Sequence, residues 1–283
     1  MVAVLTDAVV RDLAAFGPFF AVQTHTPDSI PREPWHAMNE LVEDRDVLMD
    51  RVATVRAWLA TAGGQEPDAV ELRVAASVTH LGLVARLVSP VLAVAVTSGD
   101  LLEIDLGSTH WQRTLGGAFP LSVPLDLSMP LDLSMPLDLS VPLDADTNAG
   151  GRDANPEPTL ERLACLLARR VLDSPIRDLV EATMPLSVSP RTLWGNVASA
   201  VNGAASMIAT CQPAWTDRSR VITSLLLDQP PLHNTSLTPA GQSFRRRSCC
   251  LIYRAAPKTA AAVCGDCVLS RDPPPVTTTP HPP

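Results

Sequence analysis

The chain has 283 residues, 46% of them hydrophobic, enough to build one large domain or two smaller ones around a sizeable core. Its formal net charge of −8 excludes a general nucleic-acid binder, because phosphate contacts need concentrated positive charge. Of the 22 basic residues only Lys258 is a lysine, a bias that fits GC-rich coding and carries no functional signal of its own.

The N-terminus lacks a basic stretch ahead of an apolar run, and Asp7, Arg11 and Asp12 interrupt the run it has, so it reads poorly as a signal peptide. The most apolar window, Leu81 to Val96, contains Arg86 and Pro90 and reads as too short to span a bilayer. A cytoplasmic protein without stable membrane insertion is the expectation.

In chain order, a short helix is predicted around Asp7–Phe16, followed by irregular chain rich in proline. Asp44 to Ala62 reads as a helix, with Leu48, Val52, Val55 and Leu59 on one face and Gly63-Gly64 as its stop. A second long helix is predicted from Pro67-Asp68 to about Val88, stopped at Pro90. It is small and apolar nearly all round, which points to burial among other helices. Leu101–Leu106 and Trp111–Leu115 read as short strands about the turn at Gly107–His110.

From Pro120 to Asp144 a six-residue unit of the type Pro-Leu-Asp-Leu-Ser-Met recurs. One reading is a small repeat structure or a ladder of metal-binding carboxylates at Asp126, Asp132 and Asp138. The favoured reading is a coding repeat tolerated in a surface loop, since proline at every sixth residue forbids a helix and interrupts a ladder. It runs into a Gly- and Asn-rich linker.

Helices follow at Thr159–Leu172, from Ser174-Pro175, from Ser189-Pro190 to about Thr210, and at Asp217–Leu227, with Ser at the N-cap and Pro at the first turn of the second and third. Gln229 to Gln242 reads as loop, and the Pro- and Thr-rich residues after Arg271 as a disordered tail. The expected organisation is a lobe over 1–118, the repeat and linker over 119–157, a helical lobe over 158–243, a metal-binding segment over 244–271 and the tail over 272–283. The fold class is α+β, mainly α-helical, with the small C-terminal segment packed on a helical body.

The chemistry concentrates in that segment. Cys249 and Cys250 are followed, after thirteen residues, by Cys264-Gly-Asp-Cys267. Clustered cysteines in a chain without a secretion signal point to metal, and thiolates favour zinc, copper(I) or an iron–sulfur cluster. Neighbouring residues on an extended strand point to opposite sides. Cys249 and Cys250 therefore reach one site only through a bent backbone or across a two-metal centre such as a four-cysteine [2Fe–2S] cluster. Spacing alone leaves zinc and iron–sulfur open, with a vicinal disulfide or inert thiols as the bland alternative. Gly265 is expected to let a backbone N–H approach a cysteine sulfur.

Arg-Ser-Cys-Cys-Leu-Ile-Tyr-Arg followed by Cys-Gly-Asp-Cys-Val-Leu resembles the C-terminal segment of FhuF-like ferric siderophore reductases. Thr192–Ala200 and Ala75–Pro90 are similar to the actinobacterial branch of that family. The resemblance implies a [2Fe–2S] cluster on Cys249, Cys250, Cys264 and Cys267, although the stretch between the two pairs is longer here than is usual in the family. It also implies cytoplasmic one-electron reduction of a ferric siderophore, with Fe(II) released. The chain has no phosphate loop or dinucleotide fingerprint, so an external donor such as a ferredoxin or flavoprotein reductase is expected. A non-enzymatic electron-transfer or redox-sensing protein is the alternative, and a zinc-stapled structural protein the third.

Arg245, Arg246, Arg247 and Arg254 flank the cysteines. They read either as a docking surface for an anionic ferric chelate or acidic donor, or as a solvated basic turn that offsets the site's negative charge. Cys165 and Cys211 are expected to be structural, and His80 to be a satisfied core histidine. His110-Trp111 and Trp194-Gly195-Asn196 are candidates for a cleft lining, or equally for core and capping roles.

Overall fold

The computed structural model describes residues 5–26, 29, 31–115, 117–125, 159–237, 244–255 and 263–269. The repeat beyond residue 125, the linker, the loop before Phe244, the stretch between the two cysteine pairs and the tail lie outside the described residues.

Helix α1 spans Asp7–Ala15, capped by the Thr6 side chain. A four-stranded sheet follows in pieces: β1 (Gln23–His25), β2 (Trp35–Ala37), β3 (His110–Gln112) and β4 (Leu121–Pro124), in spatial order β1-β4-β3-β2. β1 runs parallel to β4 and the other two pairings are antiparallel, with Trp111 opposite both His36 and Leu121. Of the predicted strands only β3 forms. Residues 101–106 bury Leu101, Leu102, Ile104 and Leu106 without entering the sheet. The first unit of the repeat supplies β4, so the N-terminal sheet extends past residue 118.

The short helix α2 (Glu40–Glu43) leads into α3 (Arg45–Gly63), which has Asp44 at its N-cap and Gly64 at φ 61° as its left-handed stop. Residues 67–69 make a single 3-10 turn, and α4 (Leu72–Ser98) then runs straight through Pro90 to the left-handed Gly99. The predicted stop at Pro90 is corrected. The missing proline N–H costs one helical bond, but Val91–Val96 beyond it are all buried, and that apolar burial outweighs the loss. α4 is long and apolar enough to cross a bilayer, against the expectation that its uncharged run was too short. Yet 19 of its 27 residues are buried within the protein, as a core helix requires.

A second proline is absorbed in the same way. α5 (Leu160–Leu167) continues through a π-helical stretch, Ala168–Ile176, into α6 (Arg177–Thr183). Ser174-Pro175 therefore lies inside a continuous helical run and starts nothing. A π-type stretch shifts the carbonyl register, which relieves the clash that proline makes with a regular α-turn. α7 (Pro190–Cys211) begins at the predicted Ser189 N-cap, and α8 (Thr216–Leu227) follows. A two-stranded ribbon, β5 (Ser236–Leu237) with β6 (Arg245–Arg246), carries the chain into the cysteine segment.

One contiguous core draws buried residues from α1 through Ala255. Its centre is the packing of α4 on α7, two helices that bury small residues such as Ala75, Ala76, Ala198 and Ala205. Arg86 fastens the N-terminal loops to this core. Its guanidinium donates to the Phe119 and Phe19 carbonyls, each at 2.8 Å, and to the Ala21 carbonyl.

Candidate metal centre

From Phe244 to Cys250 burial alternates residue by residue. Phe244, Arg246, Ser248 and Cys250 face in, while Arg245 and Cys249 are half-buried and Arg247 is exposed. This is the period of an extended strand. The backbone then bends: Leu251 adopts φ 70°, a conformation that costs a side-chain-bearing residue about 1 kcal/mol. The bend turns the Leu251 N–H back onto Cys249 Sγ at 3.3 Å. It is the bent backbone that two adjacent cysteines require.

On the other side, Cys264-Gly-Asp-Cys267 closes a turn with the Cys267 N–H on the Cys264 carbonyl at 3.1 Å. The Leu269 N–H donates to Cys267 Sγ at 3.3 Å, repeating the Leu251 arrangement. The N–H groups that reach sulfur are thus those of Leu251 and Leu269, and no close approach is made at Gly265, whose surroundings are open. Cys250 Sγ and Cys264 Sγ lie 3.4 Å apart, so the two pairs meet. The hydrogen bond shared by the two thiols holds the Cys250 pKa below the ordinary thiol range, while Cys264 is raised by that bond and by burial. Burial, with Cys250 and Cys267 nearby, also pushes Cys249 up.

Behind the sulfurs lies a buried polar network joining three distant segments. Ser77 Oγ, on α4, donates to the Cys250 carbonyl at 2.9 Å. The Asn196 amide, on α7, donates to the Ser77 carbonyl at 2.9 Å and accepts from Arg246 Nη2 at 2.6 Å. His80 lies beside Asn196, with Nδ1 at 3.5 Å, and burial lowers its pKa to about 3, so the ring is neutral. Its Nε2 has no partner, so the expectation of a satisfied core histidine holds only for the burial. Gly195 explains why α7 comes so close. A Cβ there would stand 2.2 Å from Ser248 Oγ and 3.0 Å from Arg246 Nη2. Thus the two upstream segments singled out in the sequence, around His80 and around Trp194-Gly195-Asn196, converge on the cysteine segment.

Residues 246–269 match the FhuF 2Fe–2S C-terminal domain. The C-terminal segment is thus similar to the FhuF 2Fe–2S domain. No curated protein matches the chain. The FhuF domain carries a [2Fe–2S] cluster, which decides between the metals that the spacing left open. The segment suits that group: four thiols, two of them already in contact, two backbone N–H groups on sulfur and a buried cation behind. A two-iron cluster spreads four thiolates over two metal atoms.

The structure separates the four arginines. Arg245 and Arg247 face outward from the ribbon. Arg254 is exposed and bound to Glu71, its Nε at 2.6 Å from Oε1. Arg246, at 1% exposure, offers nothing to a docking partner, a correction that follows from strand alternation. The remaining candidates fall away from the site. Trp111 is wholly buried in the sheet, and Trp194 stacks with the Arg177 guanidinium at 5.6 Å. Cys165 is half-buried. Cys211 is exposed rather than core, its thiol 3.9 Å from the Phe16 carbonyl.

Proposed function

We propose that the chain is a one-electron reductase of ferric siderophores, with Cys249, Cys250, Cys264 and Cys267 as the ligands of its cluster. The observation that carries this reading is the convergence of both cysteine pairs of a FhuF 2Fe–2S domain on one charged, hydrogen-bonded site. A bound [2Fe–2S] cluster supplies single-electron transfer there. The balance is simple: an external one-electron donor gives one electron, Fe(III) in the chelate becomes Fe(II), and no bond in the siderophore breaks. Hard oxygen ligands hold Fe(II) far less tightly, so the iron is released.

A cleft of about 600 Å³ supports the reading. It lies between α7, α8 and the chain leading to β5, lined by Asn202, Arg220, His233, Asn234, Ser236 and Phe244, a hydroxyl- and amide-rich surface with an aromatic wall. Ser236 stands opposite Arg246 in the ribbon, and Arg247 Nε donates to its carbonyl at 3.0 Å. Paired Cα atoms are about 5 Å apart and three extended residues span at most about 11 Å, so the cleft wall lies within about 16 Å of Cys249. The outward Arg245 and Arg247, with Arg254, would offset the repulsion between an anionic chelate and a negatively charged cluster.

The test is stopped-flow mixing of dithionite-reduced protein with a ferric siderophore, with Fe(II) captured by a chromogenic chelator. Changing Arg245 and Arg247 together to Glu should slow oxidation by an anionic chelate several-fold at low salt and less at high salt, with the cluster spectrum intact. Equal rates at low salt remove the arginines as the docking site. Failure of every ferric chelate to oxidise an intact reduced cluster favours the electron-transfer or sensor reading instead.

A further inference from the structure

Arg246 is the member of the basic run that docking cannot use. It is 1% exposed, and its guanidinium donates from Nη2 to the Thr192 carbonyl at 3.1 Å and to Asn196 Oδ1 at 2.6 Å. Its Nε is buried without a partner. Among the described residues no carboxylate forms an ion pair with it. An arginine stays charged, and a buried charge without a paired anion costs several kcal/mol. Such a group persists only where something nearby supplies negative charge.

Its neighbourhood supplies that charge mainly as sulfur. Arg246 sits in the field of Cys250 and Cys264, then of the Asp266 carboxylate and Cys249, and its own N–H donates to the Asp266 carbonyl at 3.1 Å, inside the Cys264–Cys267 turn. Its position is set from three sides. Asn196 spends its oxygen on Arg246 and its nitrogen on Ser77, which in turn holds the Cys250 carbonyl. Gly195 leaves the space that the guanidinium occupies. The helix, the amide and the strand together hold one cation in the field of Cys249, Cys250 and Cys264.

We propose that Arg246 is a built-in counter-charge of the metal centre, a positioning residue whose fixed positive charge stabilises the reduced, more negative form of the cluster and so raises its reduction potential. The proposal rests on the four cysteines being the ligands, but not on the identity of the electron acceptor.

The experiment is a redox titration, followed optically, of wild type, R246Q, R246K and the surface control R170Q, with iron and acid-labile sulfide measured on each; Arg170 is exposed and pairs with Glu103 away from the cysteines. R246Q should take up an electron at least tenfold less favourably, a fall of about 59 mV or more for a one-electron couple, while R246K and R170Q stay close to wild type. A fully loaded R246Q with the wild-type potential overturns the proposal. If R246Q loads no cluster, R246K decides: a loaded R246K shows that positive charge is what the thiolates need, and an empty one shows that only the guanidinium's shape matters and overturns the proposal. A wild type without a cluster removes the cofactor reading beneath it. A wild type that reduces no ferric chelate removes the proposed reaction but leaves the potential shift standing.

Discussion

His80 and Gly195 show how single positions serve the site without touching a sulfur. The folded state keeps His80 neutral down to about pH 3, whereas the unfolded chain binds a proton below about 6.5. Between those values the unfolded state holds the extra proton, so stability falls as the pH falls, by up to about 1.4 kcal/mol per unit from this group. Denaturant unfolding from pH 6.5 to 5 should be less steep in pH for His80→Gln than for wild type; parallel slopes would show that His80 is not the titrating group. Gly195→Ala should cost about 1–3 kcal/mol, because the new methyl meets Ser248 and Arg246. Gly203→Ala, in open space on the same helix, should add about 1 kcal/mol. A Gly195→Ala variant as stable as Gly203→Ala would mean that the close approach is not needed. The four cysteines were legible because their grouping is local. The need for Gly195 was not, since it comes from residues about fifty positions later, and neither was the split among the arginines, which strand alternation imposes once the ribbon forms.

At the level of elements, the periodic helices were legible almost to their ends. The Asp44 and Ser189 caps and the Gly64 stop are local chemistry that the fold preserves. The errors gathered at proline. Pro90 and Pro175 were read as boundaries, but both lie in helical runs whose buried faces continue beyond them. The sheet was the harder case, because its strands are three or four residues long and pair across gaps such as His25 to Pro124, which no local pattern announces. β4 also limits how much of the repeat is expendable. Deleting residues 130–141, two whole units beyond the strand, should change unfolding stability by less than about 1 kcal/mol, since closure entropy varies slowly with loop length. Removing residues 121–124 should cost far more, because Leu121 and Val123 are fully buried and Trp111 loses its strand partner. A large loss from the first deletion would place those repeat units in the core.

For the molecule as a whole, the domain match covers only 24 residues, yet the site it marks is completed by the body. α4 brings Ser77 and His80, and α7 brings Gly195 and Asn196, to the back of the cysteine segment. The mainly helical α+β body with a cysteine segment packed on it was legible from periodicity, cysteine grouping and family resemblance together. How that body reaches the sulfurs was not, because it depends on α4 and α7 packing side by side. The proposed function stands on Cys249, Cys250, Cys264 and Cys267 jointly holding one [2Fe–2S] cluster. The decisive measurement is the iron and acid-labile sulfide content, with the visible spectrum, of anaerobically purified wild type and single Cys→Ser variants. Wild type should be red-brown, with about two irons and two sulfides per chain. Replacing any one of the four should remove or strongly perturb the cluster, and replacing Cys165 or Cys211 should leave it unchanged. Colourless wild type with stoichiometric zinc, or an unperturbed cluster in any of the four variants, would contradict this reading.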